Sequence, residues 1–481
     1  MRPRSLFDLA GAELATLLTR EQAKALADRV LAMSAADETR LSITSGWQGN
    51  TRFAGGEITT SGETVDTTVT VSTTVGKRRA SATTNLLDDA SLRRTVDLAQ
   101  RLARLSPEDP ELMPELGPQT YVSVSGFIES TANLGPESRA SAVRRVIDRA
   151  VEVGRPAGDV FVAGFLEANA AARAIANNRG MFAYHRSTDA GLSTTVRTPD
   201  RTGSGWASAG ARDWATIDPA ALGARAAQKA VASRNPQAIE PGLYTVVLEP
   251  GAVADLIPQL ASAFNARTAD EGRGPFSRRG GGGPGAAGAA GGNKLGEKVA
   301  DERVTLYSDP GDPDLLAQPF DGEGFPLRRR VWIENGILKN LSYSRFWAKK
   351  QGVEASGGGG GGGFGGFGGG LPGGLKMVGG TKTTEELIAG VERGILVTHF
   401  FYIRSLDPRT VLLTGLTRDG TFLIEKGKIT RSLKNFRWNE SPLFLLSKID
   451  EIGRAERTAA GQVMPSIRAR DFNFTSLSDA V

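Results

Sequence analysis

The chain has 481 residues, of which 40% are hydrophobic and 23% are charged, and its formal net charge is +5 at pH 7. These values are typical of a globular protein and, at about 150 residues per domain, predict about three domains. The sequence contains no cysteine, which excludes disulfides, thiolate metal ligands and a cysteine nucleophile. It has no run of about 18 apolar residues, so no transmembrane helix is predicted.

The N-terminal sequence does not have the pattern of a signal peptide. It places Asp8 and Glu13 among its apolar residues, whereas a signal peptide carries an uninterrupted apolar segment. We therefore expect a cytoplasmic protein with no membrane partner. The only dense basic run is 328–330, and a nucleic-acid-binding surface normally shows a larger cluster of positive charge. No nucleic-acid partner is expected.

The first predicted domain, residues 1–105, begins with an amphipathic helix at 13–34. From Leu41 the hydrophobic period changes to two, which predicts strands, and Gly55 and Gly56 provide the turn of a tight hairpin. A second helix is expected to begin near Asp88, because acidic residues stabilise the N-terminus of a helix. Its apolar residues are Leu92, Val96, Leu98 and Leu102.

Residues 106–118 are rich in proline and acidic residues, and this composition predicts a linker. A middle domain of mixed helices and strands is expected at 119–236. Within it, 160–180 is predicted to form a strand, a turn and a second strand, followed by a turn at 178–180. Alternating small and polar residues farther along predict antiparallel strands with one solvated face.

The third predicted domain, residues 237–481, is composed mainly of strands. Asn335 and Gly336 lie between two apolar segments and give a strong hairpin signal, and Asp419 with Gly420 predicts a second hairpin. The segment 395–403 is expected to form one continuous strand. The predicted fold class is therefore α+β, with mixed N-terminal α/β units followed by a larger, antiparallel, β-rich C-terminal domain.

Two glycine tracts, at 280–292 and 357–370, interrupt the C-terminal domain. Such tracts cannot bury apolar surface and are typical of flexible loops. A phosphate-binding loop would require the pattern G-x-x-x-x-G-K-[ST], but the nearby Lys294 follows Asn293 and precedes Leu295. We therefore predict two Gly-rich loops and no nucleotide site.

Three separated motifs relate this chain to a known family. They are GNTRFAGGEIT at 49–59, FDGEGFPLRRRVWIENGILKN at 320–340 and GILVTHFFYIRSLDPRTVLLTGLTRDGTFLIEKGKIT at 394–430. In this order they resemble the TldD/PmbA family of bacterial and archaeal peptidases. The resemblance extends over about residues 41–453, which is nearly the whole chain.

The resemblance implies a metallopeptidase fold and a division of labour between two subunits. The catalytic, TldD-type member of the family carries a helical H-E-x-x-x-H zinc motif and a further cysteine ligand, whereas this chain has only His185 and His399. It is therefore similar to the zinc-less PmbA/TldE type. The resemblance implies zinc in a TldD-like catalytic partner, extended or unfolded peptides as substrates, and no catalytic residue, metal ligand or cofactor in this chain.

Six residues are candidates for contact with a peptide substrate. Asp321, Glu323 and Gly324 belong to the family's FD-x-EG motif, and the glycines around the acids indicate a backbone that another chain approaches closely. A structural turn beneath the cleft is an equally good interpretation. Thr414, Arg418 and Asp419 belong to the LTRDG segment, where a hairpin with polar tips is the simpler alternative.

Other functions remain open at the level of sequence. The chain could be a non-enzymatic, homo-oligomeric peptide-binding protein on the same fold, or a peptidase with a divergent site built from His399 and carboxylates. His399 lies in a predicted strand and is more typical of a hydrogen-bonded structural histidine than of a metal ligand. His185 follows Tyr184 near a predicted turn, where an exposed side chain is expected.

Overall fold

The computed structural model of the chain describes residues 17–278, 292–357, 371, 374–458 and 461–478. The helices in these residues are α1 (Arg20–Leu31), α2 (Asp89–Leu105), α3 (Glu129–Ala132), α4 (Pro136–Gly154), α5 (Pro219–Ala232), α6 (Pro250–Leu256), α7 (Ala266–Asp270), α8 (Arg345–Gln351), α9 (Thr384–Ala389) and α10 (Pro442–Lys448). Apart from their ends at Gly292 and Gly357, the two predicted Gly-rich loops lie outside the described residues. None of the described helices is long and apolar enough to cross a membrane.

The strands form two sheets. They are β1 (Glu38–Ala54), β2 (Glu57–Val75), β3 (Arg78–Thr84), β4 (Phe161–Asn177), β5 (Phe182–Arg197), β6 (Ser204–Ala211), β7 (Gly242–Leu248), β8 (Leu306–Ser308), β9 (Arg330–Glu334), β10 (Ile337–Leu338), β11 (Lys376–Met377), β12 (Arg393–Val397), β13 (Phe400–Asp407), β14 (Leu412–Thr417), β15 (Thr421–Glu425), β16 (Lys428–Ser432), β17 (Asn435–Glu440), β18 (Ile449–Arg457) and β19 (Val463–Ser478). With helices and sheets in one chain, the fold class is α+β, which confirms the prediction.

The first sheet is antiparallel and has the strand order β3-β2-β1-β4-β5-β6. Its two central strands pair directly, with Trp47 opposite Ala170, so residues of the predicted first and middle domains share one sheet. The segment 106–118 between them contains no helix or strand, and its Glu115 accepts a hydrogen bond from Arg79 at 2.6 Å. The domain boundary at this segment stays a prediction.

Helices α1, α2, α4 and α5 cover one face of the first sheet. On that face β4 contributes a column of small buried residues, which include Ala168, Ala170 and Ala172. The predicted turn inside 160–180 is wrong, because β4 is one continuous strand of 17 residues. Alanine has low strand propensity, but here the small side chains allow the helices to pack closely on the sheet.

Helix α2 begins where the sequence predicts. The Asp88 side chain accepts the N–H of Ser91 at 2.9 Å and caps the helix. Of the four predicted apolar residues, Leu92 and Val96 are buried together with Ala99 and Ala103, whereas Leu98 and Leu102 are each 39% exposed. The small alanines therefore complete the buried face of the helix.

The second sheet contains 13 strands and surrounds the larger core. Its longest strand, β19, pairs with β7, β11, β17 and β18. Most pairs are antiparallel, but β12 with β7 and β11 with β19 are parallel. Large aromatic side chains fill this core, among them Phe264, Trp332, Trp438, Phe472 and Phe474.

Two of the predicted connections in the C-terminal region are wrong. Segment 395–403 is not one strand, because β12 ends at Val397 and β13 begins at Phe400 with a different partner, β14. Asp419 and Gly420 do not close a hairpin, since β14 pairs with β13 and β17 while β15 pairs with β12 and β16. The hairpin at Asn335 and Gly336 is confirmed, with φ angles of 49° and 76°.

Candidate functional site at the junction of the two sheets

The FD-x-EG turn folds around the carboxylate of Asp321. Its Oδ1 accepts the backbone N–H groups of Glu323 at 2.8 Å and Phe325 at 3.0 Å, and its own N–H donates to the carbonyl of Phe325. The Asp321 side chain thus replaces backbone partners that a tight turn cannot provide. Glu323 forms an ion pair with Arg345 at 3.4 Å.

This turn is packed against the end of the first sheet. Gly324 has a φ of 79°, and a Cβ at this position would lie 2.5 Å from Cε of Met181. Tyr121 donates its hydroxyl to the carbonyl of Gly324 at 2.8 Å. Burial, together with the charge of Asp321, raises the pKa of Tyr121 to about 12. The close approach predicted from the glycines is therefore made by the protein's own side chains.

The LTRDG turn occupies a different place. The carboxylate of Asp419 is buried, and its Oδ1 accepts a hydrogen bond from the Ser204 hydroxyl of β6 at 2.5 Å. Asp419 has a φ of 56°, in the left-handed region, and Gly420 has a φ of 130°. The guanidinium of Arg418 lies 4.2 Å from the ring centroid of Phe401. This turn therefore joins β6 to the C-terminal sheet.

Thr414 lies apart from Arg418 and Asp419. It is in the middle of β14, opposite Arg404 on one side and Asn439 on the other. Its hydroxyl accepts a hydrogen bond from Arg437 at 3.4 Å. Thr414 is absent from the lining of the cavity described next.

A cavity of about 370 Å³ lies beside Asp419. One wall comes from the start of β6 and the end of α5, with Ser204 and Ser233, and the other comes from β15, β17 and the end of β19, with Thr421 and Asn435. Hydroxyl and amide side chains line the cavity near the buried carboxylate, although more of its exposed surface is apolar than polar. A cavity of this size, mainly apolar with a few polar groups, is suited to a small ligand or to part of a peptide.

A second group of side chains lies next to this cavity, around His399. Its imidazole stacks on the Trp206 ring with centroids 4.3 Å apart. Nδ1 of His399 lies 3.0 Å from Oδ2 of Asp255, although not in line for a hydrogen bond, and the same Oδ2 accepts the N–H of Phe400 at 2.9 Å. Lys229 and Glu249 form an ion pair nearby at 2.6 Å.

The six predicted substrate-contacting residues therefore do not form one site. Gly324 packs on Met181, which immediately precedes β5, whereas Asp419 bonds Ser204, which pairs with Arg197 at the other end of β5. A strand of 16 residues covers roughly 50 Å, so the two turns contact opposite ends of the first sheet.

Sequence reasoning did not identify Ser204, Trp206 or Asp255 as members of a site. Ser204 and Trp206 belong to a run of small and polar residues that indicated only a strand with a solvated face. Asp255 is the acidic residue of an otherwise apolar helix, α6, and that isolation was the one signal that could have identified it. Their proximity to His399 depends on how the two sheets are assembled.

His185 is not exposed, contrary to the prediction. Its side chain is buried beneath Gly126, and its Nε2 has no hydrogen-bond partner in the described part of the chain. Burial, reinforced by the nearby Arg212, lowers the pKa of His185 to about 4. The imidazole is therefore neutral at physiological pH.

The segment after β7 does not offer the ligands of a zinc site. Helix α6 and the 3₁₀ helix that follows it, Ile257–Phe264, bury Val253, Leu256, Leu260 and Phe264 in the main core. Asp255 is the only carboxylate of α6, and it caps the start of β13. Among the described residues, no three His, Asp or Glu side chains are grouped so that they could hold a metal ion. These residues do not fit a zinc ion.

Comparison with protein families assigns most of the chain, from residue 40 to residue 476. Models of the PmbA/TldA metallopeptidase match in three consecutive parts: domain 1 at residues 40–103, the central domain at 85–234 and the C-terminal domain at 241–476. The chain belongs to the PmbA/TldD metallopeptidase family. The matched ranges also agree with the extent of the resemblance predicted from the three motifs.

Curated members of the PmbA/TldD family match over shorter segments. A metalloprotease of Archaeoglobus fulgidus is 48% identical over 59 residues, which are 12% of this chain and 14% of that protein. A metalloprotease TldD homolog of Buchnera aphidicola is 27% identical over 164 residues, or 34% of this chain and 33% of that protein. The matches thus span at most about a third of either of these relatives.

Solved structures of low identity share the fold over almost the full length. TldE from Thermococcus kodakarensis has a TM-score of 0.78 at 20% identity and covers 94% of this chain and 99% of its own. A Thermotoga maritima protein, described as a candidate modulator of a DNA gyrase, has a TM-score of 0.80 at 20% identity, with 94% and 100% covered. This chain therefore shares the fold of both proteins over 94% of its length.

Proposed function

We propose that this chain is the non-catalytic, PmbA/TldE-type subunit of a two-chain peptidase whose TldD-type partner holds the zinc. The observation that carries the proposal is the placement of the two histidines. His185 is buried in the first sheet beneath Gly126, and His399 stacks on Trp206 at the junction. The sequence has no cysteine, and among the described residues neither histidine belongs to a group of three His, Asp or Glu side chains that could hold a zinc ion.

In this proposal the chain provides one wall of a cleft for extended or unfolded peptides in the cytoplasm. Support comes from the cavity beside the buried Asp419 and from the group around His399, both of which lie where the two sheets meet. A wall of this kind positions a peptide main chain relative to a nucleophile on another subunit, which contributes to rate through orientation. The FD-x-EG turn is then a support of the wall rather than part of its surface.

Metal analysis of the purified chain tests the proposal directly. We expect less than stoichiometric zinc after dialysis and no cleavage of an unstructured peptide by the chain alone. A TldD-type protein carrying H-E-x-x-x-H, purified with this chain, should restore both zinc and chelator-sensitive cleavage. Zinc retained by the lone chain, together with cleavage that a chelator abolishes, would refute the assignment.

A second measurement separates this proposal from a divergent active site built on His399. If His399 and Asp255 acted in catalysis, His399→Ala would abolish any cleavage by the lone chain. We instead expect the lone chain to have none and the assembled pair with His399→Ala to retain its zinc. Loss of zinc from the assembled pair with this variant would contradict the proposal.

A further inference from the structure

Strand β13 presents an exposed apolar strip beside the junction. Phe401 is 42% exposed, Tyr402 is 56% exposed and Leu406 is 52% exposed. Three large apolar side chains on one strand of eight residues are unusual for a surface that contacts only water, and contiguous patches of this kind mark binding surfaces. Aromatic residues together with arginine are also the residue types enriched at protein interfaces.

The exposed rings are held in place by neighbouring guanidinium groups. Arg418 lies over Phe401, and Arg404 lies over Tyr402 with its guanidinium carbon 4.3 Å from the ring centroid. The base of the strand is fixed as well, because the N–H of Phe400 donates to Asp255. The strip is therefore ordered before any ligand arrives, which lowers the entropy lost on binding.

The backbone of β13 has a free edge. Within the described residues β13 pairs with β14 alone, and β14 continues to β17 on its other side. The pairing with β14 shifts register twice, between Phe401 and Arg404 and between Ser405 and Asp407. Tyr402 in the first bulge has a φ of 55°, a strained conformation for an aromatic residue. Bulges of this kind redirect side chains at binding sites, and here the bulge turns Tyr402 toward solvent.

The charge around the strip is positive. Arg404 has no acidic partner in the part of the chain that the structure describes, and Arg409 lies in the turn that follows β13. Arg418 adds less charge to this surface, because its Nε lies 3.9 Å from Oδ2 of Asp419. The only carboxylate of the strand, Asp407, accepts the N–H of Arg409 and the hydroxyl of Thr410 within its own turn. A ligand of this surface is therefore expected to carry negative charge.

We propose that the free edge of β13 binds an extended, acidic polypeptide segment by strand addition. Backbone N–H and C=O groups of the edge would pair with the main chain of the segment, aliphatic or aromatic side chains would pack on Phe401 and Tyr402, and Arg404 would pair with a carboxylate. A nucleic acid lacks the alternating donors and acceptors that this edge requires. This inference rests on the proposed function in one respect only, which is that the bound acidic segment is taken to belong to a peptide substrate.

Binding of three synthetic peptides to the purified chain tests this proposal. The probes are fluorescein-labelled peptides of equal length in which valine alternates with glutamate, with lysine or with serine. Fluorescence anisotropy at low salt should show at least tenfold tighter binding of the glutamate peptide than of the lysine peptide. Methylation of alternate backbone nitrogens of the glutamate peptide should abolish binding. Equal affinities for the three peptides would overturn the proposal.

Variants locate the binding surface. Arg404→Glu should reverse the preference, so that the lysine peptide binds more tightly than the glutamate peptide, whereas Arg93→Glu on the exposed face of α2 changes the net charge equally and should have no effect. Tyr402→Gly removes the ring at a position where φ suits glycine, so the chain should remain folded while binding weakens at least fivefold. Unchanged binding by both β13 variants would overturn the assignment of the site.

The result of the peptide-binding experiments can be distinguished from the result of the zinc and cleavage experiments that test the proposed function. These experiments use the lone chain and measure binding only, so they do not depend on zinc or on a catalytic partner. If the lone chain held zinc and cleaved peptides, the subunit assignment would fail while acidic-peptide binding at β13 could still be observed. If the chain instead dimerised through β13, sedimentation would show a dimer that Arg404→Glu alters, no peptide would bind, and the proposal would be wrong.

Discussion

The FD-x-EG turn and the LTRDG turn both attach the C-terminal sheet to the first sheet, but they differ in what they leave free. At Asp321 the carboxylate is occupied by the backbone of its own turn, and Met181 fills the space over Gly324. At Asp419 the carboxylate bonds a side chain of the other sheet, and a cavity of about 370 Å³ remains beside it. Both turns join the sheets, but only the second leaves room for a ligand.

This difference shows why a motif of acids and glycines is ambiguous. In both turns a glycine has a positive φ and the acid is buried, so the two motifs look alike in sequence. They differ in the residue that each turn meets, which is Met181 before β5 for the first turn and Ser204, beside a cavity, for the second. Substitutions at Gly324 and Asp321 therefore test whether the first turn is structural.

The largest expected effect is that of Gly324→Val. A side chain at a φ of 79° is strained, and the new Cβ would displace Met181. We therefore expect the free energy of unfolding to fall by about 3 kcal/mol. Gly272→Val is the matched control, because Gly272 has a φ of 76° and no described atom lies within 4 Å of an added Cβ. This variant should lower the free energy of unfolding by only about 1.5 kcal/mol. Urea unfolding measures both. Equal losses would show that Met181 does not fill the turn.

The next effect concerns pH and the buried His185. Its pKa is about 4 in the folded protein, below the ordinary value of 6.5, so between these values the unfolded chain binds more protons. The contribution of His185 to the free energy of unfolding should therefore fall by up to about 3 kcal/mol as the pH decreases from 6.5 to 4. Below pH 4 this contribution should change no further.

The contribution of His185 is isolated by comparison with His185→Leu. Burial raises the pKa values of Asp189 and Glu167, whose stabilising effect is lost as the pH rises, so the wild-type curve alone mixes opposite slopes. The difference between wild type and variant, measured by urea unfolding across this range, should show the His185 slope. A difference that does not change with pH would mean that the imidazole is solvated in the folded state.

Smaller effects are expected at the two acidic turns. Asp321→Ala should lower the free energy of unfolding by about 2 kcal/mol, because two backbone N–H groups lose their acceptor. Asp321→Asn keeps an acceptor oxygen and should lose less than half as much. Arg418→Ala, at the open turn, should change stability by less than about 1 kcal/mol. Thermal unfolding with activity of the assembled pair measured alongside would test this order. A stable Asp321→Ala variant with reduced peptide turnover would return Asp321 to the substrate-binding surface.

The sequence by itself determined features whose causes lie within a few residues. Gly55, Gly56 and Asn335 are residue types that tolerate a positive φ, and they predicted two hairpins that the structure contains. The capping residue Asp88 predicted the start of α2. Three ordered motifs were enough to indicate the family. Each of these depends on a backbone conformation or a short pattern that the local residues specify directly.

Only the tertiary structure decided which side chains meet. The break between β12 and β13 follows from pairing with two different strands, and the burial of His185 follows from a segment around Gly126 that crosses over it. The assignment of Asp321 to a support and of Asp419 to a cavity depends on Met181 and Ser204, which are distant in sequence. Burial and strand pairing are set by distant residues, so no local pattern could specify them.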